Sequence, residues 1–297
     1  SNPSSTSERD GSVAIEWDDD TFDEFTIQAW NVRNLYNKCK EVEMIGIQWK
    51  SMIIAINESC ENMFELFHDS GRFTNYEYLG SPYDNKTRGS RGVGFLVHVS
   101  IMSECSIVKT GNANVACLRI NTHSAQDMYC ITAYMYNKRT KPQKTRAICK
   151  CLDTMMKKCV DANAPFALMG DLNTDVMKIL DVEKKAKPGD NIYKALQPIL
   201  LKYDLKCLNR EFDDRLTYRR AFDKPLYSRL DFMFTHKLDV TSFRAPPINI
   251  SDHSPLFAKI RIQIDQTKIK KSTRTKIKYN LLTEDPEIRH KYKMLLI

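Results

Sequence analysis

Polar residues suited to phosphate or metal chemistry stand at the ends of apolar segments along this chain. They are Asn31 after TIQAW, Glu58 after IIAIN, Asp171, Asn173 and Asp175 after FALMG, Asp231 within LDFMF, and Asp252 with His253 before PLFAKI. A carboxylate beside a buried strand is costly unless it is paired, hydrogen-bonded or bound to a metal. Taken singly, each residue is best interpreted as a turn former or helix cap. Taken together, they indicate a common site.

This set of residues suits the hydrolysis of phosphate esters. A phosphodiester is an anion that repels nucleophiles, and a hard cation held by carboxylate and amide oxygens neutralises the charge that develops. A carboxylate can orient or deprotonate water, and a histidine paired with an aspartate can bind a phosphoryl oxygen. The chain has no GxxxxGK loop followed by Ser or Thr, so nucleoside-triphosphate hydrolysis has no support.

Seven short apolar segments predict the strands that would position these residues. They are EFTIQAW (24–30), SMIIAIN (51–57), VGFLVHV (93–99), MYCITAYM (128–135), PFALMG (165–170), LDFMF (230–234) and PLFAKIRI (255–262). Apolar periodicity predicts helices at 143–160 and 191–203, the second kinked or broken at Pro198, and weaker ones at 35–49 and 59–67. The mixed order of strands and helices predicts an α/β sandwich of two sheets.

Charge, cysteine content and the length of apolar runs indicate a protein that does not span a membrane, with an acidic N-terminal segment and a basic C-terminal segment. The net charge of +8 fits a polyanionic partner without requiring one. Residues 1–23 are acidic and predicted to be disordered, and 265–297 form a basic tail or linker. Within that tail, the basic run at 268–278 would add non-specific affinity or act as a nuclear-import signal. No apolar run is long enough to span a membrane. The nine cysteines lack zinc spacing and indicate reduced thiols in the nucleus or cytosol.

Five motifs in register resemble the endonuclease/exonuclease/phosphatase superfamily over about residues 25–262. They are WNVRNL (30–35), IIAINES (53–59), GDLNTD (170–175), SRLDFMF (228–234) and SDHSPL (251–256). The resemblance implies one domain over 24–264. It also implies a four-layered α/β sandwich of two packed mixed β-sheets flanked by helices, with the active site at one end of the sheets.

The resemblance also implies a Mg²⁺ cofactor, for which Mn²⁺ would substitute. Glu58 would be the main metal ligand, with Asn31 beside it and Asp252 as a second contributor. Arg33 stands where members of the superfamily often carry an acid, which thins the carboxylate shell of the metal.

Three motif residues would act on the water or the phosphate, and a fourth would orient one of them. By the same resemblance, Asp171 would activate or orient the attacking water, and Asn173 would be its neighbour on the phosphate. His253 would bind the phosphate and would be oriented by Asp231.

Further segments resemble one branch of the superfamily, the apurinic-like endonuclease domains of non-LTR retrotransposons. Tyr134 in ITAYMYN resembles the phosphate-contacting tyrosine, with Tyr136 as the alternative, and RGVGFLVH (91–98) and LTYRR to YSRLDF (216–232) resemble the same domains. Residues 278–297 resemble the segment that leads to a reverse transcriptase, which would then act on the same polyprotein or in trans. The chain also resembles host proteins of the craniofacial-development type, which are thought to derive from such elements. It would therefore be either a domain excised from a retrotransposon protein or a domesticated host protein.

Basic segments are candidates for DNA contact, although a solvated surface loop is the alternative for each. The candidates are Lys86, Arg88 and Arg91 in KTRGSRG, Arg215, Arg219 and Arg220 in RLTYRRAFDK, and Asn137, Lys138 and Arg139. In the retrotransposon family the segment before SRLD forms a hairpin that reaches into the DNA groove.

The sequence therefore predicts a Mg²⁺-dependent DNA endonuclease that leaves 3′-hydroxyl and 5′-phosphate ends. Its role would be to nick target DNA for retrotransposon integration in the nucleus. One alternative is AP-site repair or another phosphodiesterase or phosphatase activity of the same fold. Another is a domesticated, inactive module that binds nucleic acid.

Overall fold

The structure is a computed structural model that describes residues 24–59, 73–80, 92–122, 126–136, 142–181, 191–221 and 225–262. Its strands are β1 (Glu24–Asn31), β2 (Ser51–Asn57), β3 (Tyr76–Gly80), β4 (Val93–His98), β5 (Cys105–Val108), β6 (Val115–Ile120), β7 (Met128–Tyr134), β8 (Phe166–Asp171), β9 (Lys206–Cys207), β10 (Asp231–His236), β11 (Asp239–Arg244) and β12 (Leu256–Arg261). Its helices are α1 (Cys39–Gln48), α2 (Pro142–Asp161), α3 (Val176–Ile179), α4 (Asn191–Lys202) and α5 (Leu208–Glu211). Short 3-10 helices cover Tyr36–Lys38 and Val99–Glu104.

The strands form two mixed sheets. One has the order β11-β12-β1-β2-β4-β3 and the other the order β5-β6-β7-β8-β10-β9. In each sheet one central pair is parallel, β1 with β2 and β7 with β8, and the other pairs are antiparallel. This arrangement confirms the predicted sandwich of two mixed sheets.

Apolar side chains fill three separate layers of this sandwich. Between the sheets, Ile53 and Phe95 of one pack with Leu118 and Met169 of the other. On the outer faces, α1 covers the first sheet, and α2 and α4 cover the second. Successive side chains of a strand point to opposite faces of the sheet. Because both faces of β2 are buried, its sequence is a nearly continuous run of branched apolar residues.

All seven predicted strands and both strongly predicted helices are present in the structure. The helices predicted at 143–160 and 191–203 are α2 and α4, and Pro198 lies inside α4 without ending it. The weaker prediction at 35–49 corresponds to a 3-10 turn followed by α1. The prediction at 59–67 lies, apart from Ser59, outside the described residues, as do both predicted tails. Five described strands were not predicted, namely β3, β5, β6, β9 and β11.

The two sheets meet closely at the end where the polar residues stand. Gly170 has φ of +133°, and a Cβ there would lie 2.3 Å from the carbonyl oxygen of Ala133 and 2.7 Å from Oδ1 of Asn57. That oxygen accepts the backbone N–H of Asp171 at 2.9 Å, and Nδ2 of Asn57 donates to Thr132 Oγ1 at 3.0 Å. Asn57 on the first sheet therefore ties the second sheet at the strand end that carries Asp171.

Two further predictions concern cysteines and membranes. All eight cysteines that the structure describes are free thiols. Burial raises the pKa of several of them, including Cys105, Cys149 and Cys159, to about 12. Among the described helices, none combines the length and the apolar character that a membrane span requires.

Candidate active site

Three buried polar residues from distant parts of the chain meet at this end of the sheets. Among the residues that the structure describes, Asp171, Asp231 and His253 each place one possible ligand atom within 4.8 Å of the others. Asp171 ends β8, and Asp231 begins β10 directly opposite it in the antiparallel register. His253 lies just before β12, in the other sheet. Both sheets therefore contribute to one buried cluster.

Asp231 and His253 form a hydrogen-bonded pair. Nδ1 of His253 lies 2.8 Å from Oδ2 of Asp231. The backbone N–H of Asp231 is held by Oγ1 of Thr217 at 3.2 Å, and the carbonyl of His253 accepts Nε1 of Trp30 at 2.9 Å. With Nδ1–H donated to the carboxylate, the other ring nitrogen lies 3.8 Å from Oδ2 of Asp171.

The imidazole of His253 is held in its charged form. Burial alone would lower its pKa, but the carboxylates of Asp231 and Asp171 outweigh burial and raise the pKa of His253 to about 9. The ring is therefore an imidazolium at neutral pH. Such a cation can donate a hydrogen bond to a phosphoryl oxygen.

Hydrogen bonds from a backbone amide and a side-chain amide orient the carboxylate of Asp171. Its Oδ1 accepts the backbone N–H of Asn173 at 2.8 Å, and its Oδ2 accepts Nδ2 of Asn31 at 2.9 Å. Burial raises the pKa of Asp171 to about 7, although His253 and these hydrogen bonds oppose the rise. A carboxylate whose pKa lies near the working pH is suited to accept a proton from water.

The predicted metal residues lie at the ends of β1 and β2. Asn31 and Asn57 are paired across these strands, and the buried Glu58 follows Asn57 with φ of +53°. Asp252 is buried as well, and its Oδ2 lies 2.5 Å from Nη1 of Arg33. These donors are oxygens, which a hard divalent cation prefers. The carboxylate oxygens of Glu58 and Asp252 and the amide oxygen of Asn31 therefore form a donor set that fits a divalent cation.

The two tyrosines differ in their surroundings. Tyr134 ends β7 opposite Asp171 in the parallel register, and its backbone is bonded to Asn114 in both directions. The hydroxyl of Tyr136 donates to Oδ1 of Asn114 at 3.1 Å. Tyr134 is therefore the one of the two whose backbone lies beside Asp171, and its contact with phosphate stays a prediction.

The segment before SRLD is paired back on itself, with Tyr218 bridged to Ser228 and also to His253. Arg219 in this segment is buried, and its guanidinium donates to Oδ1 of Asn249 at 2.7 Å, a structural contact that the sequence did not indicate. Arg220 is exposed, and half-exposed Arg215 is paired with Asp213 at 2.9 Å. The other DNA-contact candidates, Lys86, Arg88, Arg91 and residues 137–139, lie outside the described residues.

Several positioning groups were missed by sequence reasoning. Asn57 joins the sheets, Thr217 holds the backbone of Asp231, and Ser251 bonds the carbonyl of Asn31 at 2.8 Å. Each lies within or next to a quoted motif. Their position within or beside these motifs was the signal that could have identified them.

Known structures share this architecture. An AP endonuclease from Leishmania major is similar with a TM-score of 0.62 and 14% identity, covering 81% of this chain and 88% of the other. The endonuclease domain of TRAS1, a telomere-specific non-LTR retrotransposon, has a TM-score of 0.59 and 16% identity over 81% and 99%. The 3′ phosphatase NExo from Neisseria, bound to a product DNA hairpin, has a TM-score of 0.60 and 13% identity over 80% and 100%.

A structure described as an endonuclease/exonuclease/phosphatase family protein from Bacteroides thetaiotaomicron is similar as well, with a TM-score of 0.56 and 13% identity over 81% of this chain and 98% of the other. The chain has the endonuclease/exonuclease/phosphatase fold. At 13 to 16% identity the likeness establishes the architecture, and no protein-family model and no curated protein matches the sequence. The cluster of Asp171, Asp231 and His253 lies at one end of the two sheets of this fold.

Proposed function

We propose that this protein is a divalent-metal-dependent phosphodiesterase that cleaves DNA strands and leaves 3′-hydroxyl and 5′-phosphate ends. The observation that carries the proposal is the buried cluster in which an imidazolium, His253, faces the carboxylate of Asp171 at 3.8 Å and is held by Asp231 at 2.8 Å. The cluster offers a proton acceptor for water and a cation for the phosphoryl oxygen side by side.

In the proposed reaction, Asp171 accepts a proton from water as the water oxygen bonds to phosphorus. The bond from phosphorus to the 3′ oxygen breaks, and the 3′ oxygen takes a proton from solvent. His253 donates a hydrogen bond to a non-bridging oxygen throughout. Asn31 and Asn173 orient the Asp171 carboxylate, because Nδ2 of Asn31 donates to Oδ2 and the backbone N–H of Asn173 donates to Oδ1.

A divalent cation would be held by Glu58 and Asn31, with Asp252 as a further contributor. Mg²⁺ is the proposed ion, with Mn²⁺ as a substitute. When bound, it supplies charge neutralisation at the phosphoryl oxygens.

Two observations support DNA as the substrate. The chain carries a net charge of +8, and exposed Arg220 and half-exposed Arg215 lie on the segment that is bridged to His253. Of the similar structures, one is a retrotransposon endonuclease domain and another holds product DNA. We extend the proposal to nicking of target DNA in the nucleus, with a reverse transcriptase acting on the nick.

A plasmid assay tests the proposal. Wild-type protein should nick supercoiled plasmid in Mg²⁺ and not in EDTA, and DNA ligase should reseal the nick because the ends carry 3′-hydroxyl and 5′-phosphate groups. Asp171→Ala and His253→Ala should lose nicking, whereas Asp153→Asn, which changes an acid on α2 paired with Lys202, should keep it. The proposal fails if wild type does not nick, or if the two site variants nick as well as wild type.

AP-site cleavage is the second candidate, favoured by the similarity to an AP endonuclease. Matched duplexes with and without one abasic site distinguish the two functions. Cleavage confined to the abasic duplex would identify a repair activity. Metal-independent binding without turnover would identify an inactive DNA-binding module.

A further inference from the structure

The active-site cluster is rich in acids, although the proposed substrate is itself an anion. Asp171 and Asp231 are buried and paired with His253, the buried Asp252 precedes His253 in the chain, and Glu58 is buried directly after β2. An anionic substrate approaching such a cluster needs cationic groups that face solvent. Arg33 presents one, with a side chain that is 59% exposed.

Arg33 is tied to this cluster at both its ends. Its backbone N–H donates to Oδ1 of Asn31 at 3.1 Å, and the same asparagine donates to Asp171. Its Nη1 donates to Oδ2 of Asp252 at 2.5 Å, and that aspartate is 5% exposed and precedes His253. The backbone of Arg33 adopts φ of +47°, an uncommon conformation for a residue with a side chain. The arginine thus links the end of β1 to the loop before β12.

We propose that Arg33 binds a phosphate of the substrate backbone and that Asp252 is the positioning residue for its guanidinium. A guanidinium has five N–H donors in a planar fork that matches phosphate, and the contact with Asp252 uses Nη1 while much of the side chain faces solvent. The buried carboxylate fixes the direction of a side chain that would otherwise be mobile. This inference rests on the proposed function, since the substrate is taken to be a nucleic acid.

The salt dependence of DNA binding tests the proposed contact. Duplex affinity is measured in EDTA by fluorescence anisotropy from 50 to 300 mM KCl, so that neither metal nor cleavage enters. Arg33→Gln should weaken binding about fivefold or more, and should reduce the slope of log affinity against log salt by about 0.9, the value for one lost phosphate contact. Arg33→Lys should keep the slope and recover part of the affinity.

Arg119→Gln is the matched control. Arg119 lies on β6, its side chain is 51% exposed, and it is paired with Asp127 at 2.6 Å. The control variant therefore also loses an arginine that forms an ion pair at the surface. Its slope and affinity should equal those of wild type. An unchanged slope in Arg33→Gln, or an equal change in Arg119→Gln, overturns the inference. So does a wild type that does not bind duplex in EDTA.

A double-mutant cycle tests the role of Asp252. Asp252→Asn should weaken duplex binding in EDTA when Arg33 is present and should have no further effect in the Arg33→Gln background, because both changes disable one contact. Additive effects would overturn the positioning role. A wild type that nicks DNA while Arg33→Gln binds normally refutes only this inference, whereas a wild type that binds with the expected slope and does not nick refutes only the proposed function.

Discussion

Replacing Asp171 by asparagine should stabilise the metal-free protein at pH 8. The unfolded carboxyl ionises near pH 3.8, whereas burial raises the pKa of the folded Asp171 to about 7. Between these pH values the folded state binds more protons than the unfolded state, so the free energy of unfolding falls as pH rises. An asparagine side chain does not ionise. The free energy of unfolding of the variant should therefore not fall over this pH range.

The size of the effect follows from the gap between the two pKa values. Each pH unit corresponds to about 1.4 kcal/mol, so ionised Asp171 costs the fold about 4 kcal/mol above pH 7. The new amide would face Nδ2 of Asn31, which now donates to Oδ2, and losing that hydrogen bond costs about 1 kcal/mol. The net gain is about 3 kcal/mol at pH 8. At pH 4.5, where wild-type Asp171 is largely protonated, the two proteins should be about equally stable.

Urea unfolding in EDTA at pH 4.5 and pH 8 measures this difference. Asp153→Asn serves as the control, because its carboxyl is only partly buried and the hydrogen bond from Lys202 lowers the pKa of Asp153. That variant should gain no stability at pH 8. If Asp171→Asn is less stable than wild type by the same amount at both pH values, the carboxylate carries no buried-charge penalty and the reasoning is refuted.

Three further predictions follow from the same geometry. Gly170→Ala should lower the free energy of unfolding by at least about 2 kcal/mol, because Cβ would meet the carbonyl oxygen of Ala133 at φ of +133°; unchanged urea unfolding would show that the backbone adapts. Asp231→Asn should lower the pKa of His253 below about 9, since the variant loses both the charge and the hydrogen bond of Asp231 and leaves Asp171 and Asp252 to oppose burial; an imidazole NMR titration assigned with His253→Gln would contradict this by finding the wild-type value. Mg²⁺ should raise the midpoint of thermal unfolding more at pH 8 than at pH 5, because a cation held by Asn31 would stabilise the ionised form of Asp171, which Asn31 contacts at 2.9 Å; equal shifts at both pH values would argue against a cation beside Asp171.

The strands that the sequence predicts are those whose own residues show that they are buried. β2 and β8 are buried on both faces, so their branched and apolar runs identify them without knowledge of their partners. β11, DVTSFR, lies at a sheet edge and is mostly exposed or half-exposed, and β9 is two residues long. Pairing with distant strands creates such elements, and local pattern does not record that pairing.

The candidate site divides in the same way. Acids at strand ends stand out because a buried charge needs a partner, so Asp171 and Asp231 could be found from sequence. The roles of Asn57 and Arg219 could not, because an amide that joins two sheets and a guanidinium that is buried against Asn249 are defined by packing. On a basic segment, buried Arg219 and exposed Arg220 are adjacent and look alike.

Single-turnover cleavage of an end-labelled duplex in Mg²⁺ tests whether the cluster of Asp171, Asp231 and His253 hydrolyses DNA phosphodiesters. Wild type, Asp171→Asn and Asp153→Asn are compared after circular dichroism has shown that they are folded to the same extent. Asp171→Asn should cleave about 100- to 10,000-fold more slowly than wild type, and Asp153→Asn should match wild type. Equal cleavage rates for wild type and Asp171→Asn would refute the proposed role of this cluster.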